Sequence, residues 1–184
     1  MAGTHFSVEV RPGHADEELQ RLDTSLSNTA PLLAMVGEYL QGSVEGRFRA
    51  QRGPDGSAWQ ALSPRYQRRK KRNKDKILTL NGYLRSYIRW QPDSDDAVLV
   101  GTDRKYGAIH QFGGTIKQPA RQSTVHFGAG KAKHLFVKKS RAKRSQQVSI
   151  GAHEIKMPAR PYLGISEEDE KQIQLRVLDW LNDR

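Results

Sequence analysis

Two stretches of this chain are so heavily cationic that they read as solvated faces or as contacts with a polyanion. Residues 47–76 carry 11 basic and 2 acidic side chains, and residues 117–160 carry 11 and 1. Charges at that density are rarely buried without partners. The rest is acidic or balanced, with 2 basic and 7 acidic groups in 1–46, 4 and 4 in 77–116, and 3 and 6 in 161–184. The net charge of +11 is therefore two basic blocks set between acidic ends. That pattern suits a nucleic-acid partner. It suits equally a protein whose copies stack acidic surface on basic surface.

At 184 residues and 36% hydrophobic content the chain suits one domain, or one domain with extensions, part of it extended or ordered only on assembly. No cysteine is present, so disulfides and thiolate metal sites are excluded. This fits a reducing cytoplasm. The first residues lack a signal peptide's basic start and apolar run, and no apolar run reaches membrane-spanning length.

Catalytic constellations are missing as well. Six histidines, at 5, 14, 110, 126, 134 and 153, show no paired metal-ligand spacing. No serine occupies a nucleophile elbow. Gly128-Ala129-Gly130-Lys131 lacks the leading spacing and following hydroxyl of a phosphate loop. Asp93, Asp95 and Asp96 cluster where turns favour aspartate for its own backbone hydrogen bonds. We therefore assign no catalytic residue, no metal ligand and no cofactor. A metal-dependent nuclease has little in its favour. Base-specific readout also lacks a motif, and aromatic residues are sparse among the basic runs, Tyr66 excepted, which leaves diffuse phosphate contact.

Residues 5–10 alternate as a short strand, broken at Arg11-Pro12-Gly13. Leu19, Leu22 and Leu26 predict a helix over 15–27, with acids at its positive end. A second helix runs from Pro31 to about Gln51, its stripe formed by Leu32, Leu33, Val36, Tyr39, Leu40, Val44 and Phe48. Gly37, Gly42 and Gly46 weaken it. Gly53-Pro54-Asp55-Gly56 is a turn, and the cationic run from Arg65 to Lys76 is a solvated helix or a mobile arm. Around Asn81-Gly82 either a tight turn or a helical turn capped by Thr79 is open. Residues 86–91 and 97–101 predict a β-hairpin turning through 92–96. In 115–156, weak strand signals at 123–127, 135–137 and 147–150 alternate with loops, in what could be a long hairpin. Ser166 and Asp169 form a capping box that starts a final helix, with Ile173, Leu175, Val177, Leu178 and Leu181 as contacts and Trp180 on the adjoining face.

Four short motifs occur in a fixed order: Phe48 to Ser63 (FRAQRGPDGSAWQALS), Leu80 to Ser86 (LNGYLRS), Tyr106 to Gly114 (YGAIHQFGG), and Pro158 to Gly164 (PARPYLG). Together they resemble the virion-morphogenesis (tail-completion) family of tailed bacteriophages, with Asn81 in place of the usual threonine. The tract 117–156 is longer and more basic than that pattern requires. The residues carrying the resemblance are Trp59, Gly82, Leu84, Tyr106, His110, Phe112, Gly113, Gly114, Pro158, Arg160, Pro161 and Tyr162. Read as structure, the glycines permit positive φ or close backbone approach. Trp59, Phe112 and Tyr162 are expected core anchors. Pro158 and Pro161 stiffen the approach to the last helix, and Arg160 is a fixed donor to a carboxylate or carbonyl. His110 reads as a structural polar residue beside a glycine turn.

The expected fold is α+β: a small antiparallel β-sheet packed against N-terminal helices and a C-terminal helix, with a long basic loop or hairpin. We expect a single domain over 1–184, divided into 1–51 (strand and helices), 52–76 (turn and basic arm), 77–164 (sheet with basic insertion 117–156) and 165–184 (final helix). The resemblance implies a non-enzymatic virion protein of the neck or upper tail, assembled in the host bacterial cytoplasm. It would act in tail completion and head–tail joining. Its partners would be itself, in a ring that is often hexameric in related neck and terminator proteins, and other neck, connector and tail proteins. It would also touch phage DNA nonspecifically, with no membrane involved. The candidate lumen or subunit contacts are Arg68, Arg69, Lys70, Lys71, Arg72, Lys131, Lys133, Lys138, Lys139, Arg141, Lys143 and Arg144. The competing reading is a nonspecific DNA-binding accessory of packaging.

Overall fold

The computed structural model describes residues 13–26, 28–130 and 133–182. The strand expected over 5–10 lies outside them. Two compact units result: residues up to Gly107 together with those from Arg160 onward, and Ala108–Ala159.

The first unit is organised by helix α2 (Ala30–Ala50), preceded by α1 (Gly13–Leu26). Pro31 sits in the first turn of α2, and Gln51 closes it in a left-handed conformation (φ 56°). Val36, Val44 and Phe48 are buried along one face. That face packs on the hairpin of β1 (Arg89–Ser94) and β2 (Ala97–Gly101) and on helix α6 (Glu167–Asn182). The Thr29 hydroxyl donates to the Asp95 carbonyl, joining the start of α2 to the hairpin turn. Between them run two short helices, α3 (Pro64–Arg69) and α4 (Tyr83–Ser86).

Several expectations need correction. The first hairpin strand starts at Arg89, because Gly82, at φ +82°, opens a helical turn in which Ser86 N–H donates to Gly82 and Tyr87 N–H to Tyr83. The connection is also tighter, since Ser94 pairs with Ala97 and the ladder is irregular between Pro92 and Ser94. The leucines of α1 reach no core: Leu19, Leu22 and Leu26 are all exposed. On α6, Leu175 and Leu178 are exposed, and Asp169 and Trp180 are the buried positions. The α+β class with small antiparallel sheets holds; among the described residues the strands form three two-stranded ladders.

Gly37 is more than a weak point. A Cβ there would lie 2.7 Å from Trp90 Cδ2, so the glycine is the seat that lets the hairpin indole meet the helix. A Cβ at Gly42 would meet nothing within 4 Å. Helix propensity alone favours alanine at either site by about 1 kcal/mol, while overpacking costs about 1–3 kcal/mol. Gly42→Ala should therefore stabilise the chain and Gly37→Ala should destabilise it in urea unfolding. Equal shifts of the same sign would show that Trp90 yields freely.

The second unit opens with most of α5 (Gly107–Phe112) and continues as β3 (Gly114–Gln118), β4 (Arg121–Phe127), β5 (Arg144–Ile150) and β6 (His153–Met157). β3 pairs with β6 and β4 with β5, both antiparallel. The two ladders share one register. Gln118 faces His153, and three residues further along each strand Arg121 faces Ile150. The tract is thus a single two-stranded ribbon, interrupted only where Pro119-Ala120 opposes Gly151-Ala152. Pro119 cannot donate a ladder hydrogen bond, which accounts for the break. At about 3.3 Å per residue, the strand from Gly114 to Phe127 extends roughly 45 Å. At its far end a third segment joins: Val137 N–H donates to His126 O (2.9 Å), and Phe136 bridges Phe127.

Candidate functional site: the motif core and the basic surfaces

The first, second and last motifs meet in the first unit. Phe48 stacks edge-on against Trp59 and tilted against Tyr162, each at 5.4 Å between ring centroids. Val44, Leu84 and Ile88 complete this core. Around it polar groups fasten one chain segment to another. Trp59 Nε1 donates to Pro161 O at 2.7 Å. Arg160 Nε donates to Gln60 O at 2.8 Å, and its Nη2 reaches Ala61 O at 3.3 Å, so its partners are carbonyls. Burial lowers the Arg160 pKa. Gly164, at φ +136°, lets the chain pass against Pro54, whose Cγ would lie 3.0 Å from an added Cβ. Tyr162 is buried, which raises its hydroxyl pKa, with Tyr106 adding to the shift.

The centre of this network is an ion pair that sequence reasoning half missed. Ser166 and Asp169 do form the reciprocal capping box, with Asp169 Oδ2 accepting from Ser166 N–H at 2.8 Å and Ser166 Oγ accepting from Asp169 N–H at 3.2 Å. The same carboxylate is buried and pairs with Arg47. It also accepts from Ser43 Oγ at 2.6 Å and from Tyr39 Oη at 3.0 Å. Arg47 in turn donates to Tyr162 O at 3.1 Å and Gly164 O at 2.7 Å. Burial alone would raise the Asp169 pKa; hydrogen bonds from Ser43, Ser166 and Tyr39 outweigh it and hold the carboxyl at about 2. Tyr39 is pushed up to about 12, by burial first and then by its bond to Asp169. Arg47 stands one turn after Val44 on the helix's apolar face. A cation inside an apolar stripe is the signal that could have exposed it.

The third motif does not join this core as a set. Gly107 belongs to the first unit, where an added Cβ would lie 2.9 Å from both Tyr162 Oη and Thr102 Cγ2. His110 is half-buried within the second unit. Phe112, expected to be a core anchor, is 78% exposed, because it ends a six-residue helix just before the left-handed Gly113. Gly113 (φ +70°) and Gly114 (φ +142°) start the ribbon, and a Cβ on Gly113 would meet Ala159 N at 2.7 Å. Pro158 lies half-buried next to that contact.

The first basic block is a folded loop. Ser63 caps α3 by accepting from Tyr66 N–H at 3.3 Å. Lys70 is buried and donates to the carbonyls of Asn73 (2.6 Å) and Lys76. Burial lowers its pKa, and Asp75 works the other way. Lys70 is thus spent on holding its own loop and leaves the set of candidate surface contacts. Arg68, Arg69, Lys71 and Arg72 stay exposed. In the second block Lys133, Lys138, Lys139, Arg141, Lys143 and Arg144 are exposed around the ribbon's far end, and Lys131 lies outside the described residues. Among the described residues no group of His, Asp and Glu could hold a metal ion, and no helix is long and apolar enough to cross a membrane.

Chain segments distant in sequence are thus locked together by buried polar pairs, and two cationic surfaces stay exposed. The profile of the phage virion morphogenesis family matches residues 13–182, and the chain belongs to that family. It is similar to "Mu-like prophage FluMu G protein 2" of Haemophilus influenzae, at 26% identity over 94% of this chain and 95% of that protein. It is also similar to "Putative capsid assembly protein G" of Escherichia phage Mu, at 29% identity over 76% of this chain and 70% of that one. No solved structure matches it.

Proposed function

We infer that this protein is a structural component of the virion neck or upper tail. It completes the tail and joins it to the filled head, as a closed ring of identical subunits around the DNA channel. What carries the reading is family membership across residues 13–182 in a chain that keeps Arg68, Arg69, Lys71, Arg72, Lys138, Lys139, Arg141 and Lys143 on exposed surfaces. The name of the phage Mu relative, a putative capsid assembly protein, supports an assembly role. The basic surfaces then either line the lumen, where phosphate contact is diffuse, or meet acidic faces of neighbouring subunits.

The test is native mass by light scattering at low and high salt, with electron microscopy of large species. A closed ring is expected. Two quadruple variants probe the surfaces: Arg68, Arg69, Lys71 and Arg72 to alanine, and Lys138, Lys139, Arg141 and Lys143 to alanine. Infectious titre should fall at least about tenfold when both sets are combined. Particles at normal titre would sink the role given to the basic blocks. A persistent monomer whose DNA affinity falls steeply with salt would favour the packaging-accessory reading instead.

A further inference from the structure

We propose that the far end of the ribbon is a docking site for helix α1 of a second copy of this chain. The proposal rests on the ring reading for its place in assembly and names the surfaces that would build such a ring.

Both surfaces are exposed, and each has what the other lacks. The ribbon's end, residues 133–144, has six basic side chains and no acidic one. Amid them Leu135 is 61% exposed and Phe136 is 76% exposed. Phe136 touches Phe127 at 5.4 Å between centroids, which holds one face of its ring while most of the ring stays in solvent. Helix α1 carries four acids (Asp16, Glu17, Glu18 and Asp23) against one arginine. Its Leu19, Leu22 and Leu26 recur at helical spacing and so line one face over roughly 10 Å. All three are exposed. An amphipathic helix with an apolar stripe and an acidic flank matches an apolar pair rimmed by lysine and arginine. The other basic surface, at 65–76, fits less well, since its only large apolar group among the exposed residues is Tyr66.

The pairing is heterologous, because two different surfaces of the same chain meet. Repeated from copy to copy, such a contact gives a ring where the rotation closes and a filament where it does not. One contact of this size is weak, so closure of the ring would supply the avidity.

The chain has no cysteine, so introduced thiols report cleanly. Full-length Leu22→Cys and Phe136→Cys proteins would be mixed and treated with a short bismaleimide, alongside a Leu22→Cys and Tyr66→Cys mixture as control. All three positions are exposed, so folding should survive. The expected result is a mixed Leu22–Phe136 dimer at least about fivefold above the control at low salt, falling toward it at high salt. Yields equal to the control overturn the proposal. So does a Leu22→Cys/Phe136→Cys double variant that links only within one chain. A closed ring by microscopy without this cross-link overturns the contact and leaves the neck reading intact. The cross-link in species that never close does the reverse.

Discussion

Replacing Arg47 with methionine is expected to destabilise the first unit by about 3–5 kcal/mol, because it strands a buried carboxylate and two carbonyls. Asp169 would lose its cation, and the carbonyls of Tyr162 and Gly164 their donor. For a chain of this size that is a fall in Tm of about 6–20 °C. The same network sets an acid limit. The Asp169 carboxyl titrates at about 2 in the folded protein against an unfolded value near 3.8. A depressed carboxyl stabilises the fold fully above the unfolded pKa, and that stabilisation is lost as pH falls toward the folded one. About 2 kcal/mol should therefore disappear between pH 4 and pH 2. Asp169→Asn should be less stable at pH 7 and should lose this part of the acid slope. Urea unfolding at pH 7, 4 and 2.5 measures both. An Asp169→Asn protein with an unchanged acid slope would show that other carboxyls carry it.

Where burial writes a period into the sequence, the fold was legible. The stripe of α2 and the Ser166–Asp169 box belong here, since one face of a helix or one fixed offset does the work. The first hairpin was legible but shifted, because Gly82 spends Ser86 and Tyr87 on a helical turn before the strand starts. The ribbon left only scattered signs. Most side chains along β4 and β5 are exposed or only partly covered, so neither face needs apolar residues and no alternation develops. Its shared register is a property of backbone pairing, which composition does not report. Lys70 and Arg47 were hidden for the opposite reason. Each is a cation used internally: Arg47 is marked only by its place in the apolar stripe of α2, and Lys70, inside a cationic run, by nothing that tells it from its solvated neighbours. Phe112 misled because an aromatic in a recurring motif reads as core, while the helix that carries it ends by turning it outward.

Gly113→Val should be the most damaging single change in the second unit. A valine would be forced to φ +70°, which costs an L-residue about 1–2 kcal/mol and a β-branched one at least that. Its Cβ would also press on backbone, at 2.7 Å from Ala159 N and 2.9 Å from Met157 O, where no side chain can swing aside. Relieving that contact means moving the Gly114–Met157 pair with which the ribbon starts, at a further cost of about 1–3 kcal/mol. Gly130→Ala separates the two costs. It has positive φ as well (56°), but a Cβ there meets nothing within 4 Å, so it should lose only about 1 kcal/mol. Hydrogen exchange gives the location of the damage. In Gly113→Val, amides of β3 and β6 should lose protection while those of α2 and α6 keep theirs, because the two units have separate interiors. Unchanged protection in 114–118 and 153–157 would falsify the steric account. If the ribbon also carries the subunit contact, this variant should fail to assemble although its first unit stays folded. The paired glycines would then serve the motif by starting the ribbon, with no ligand required.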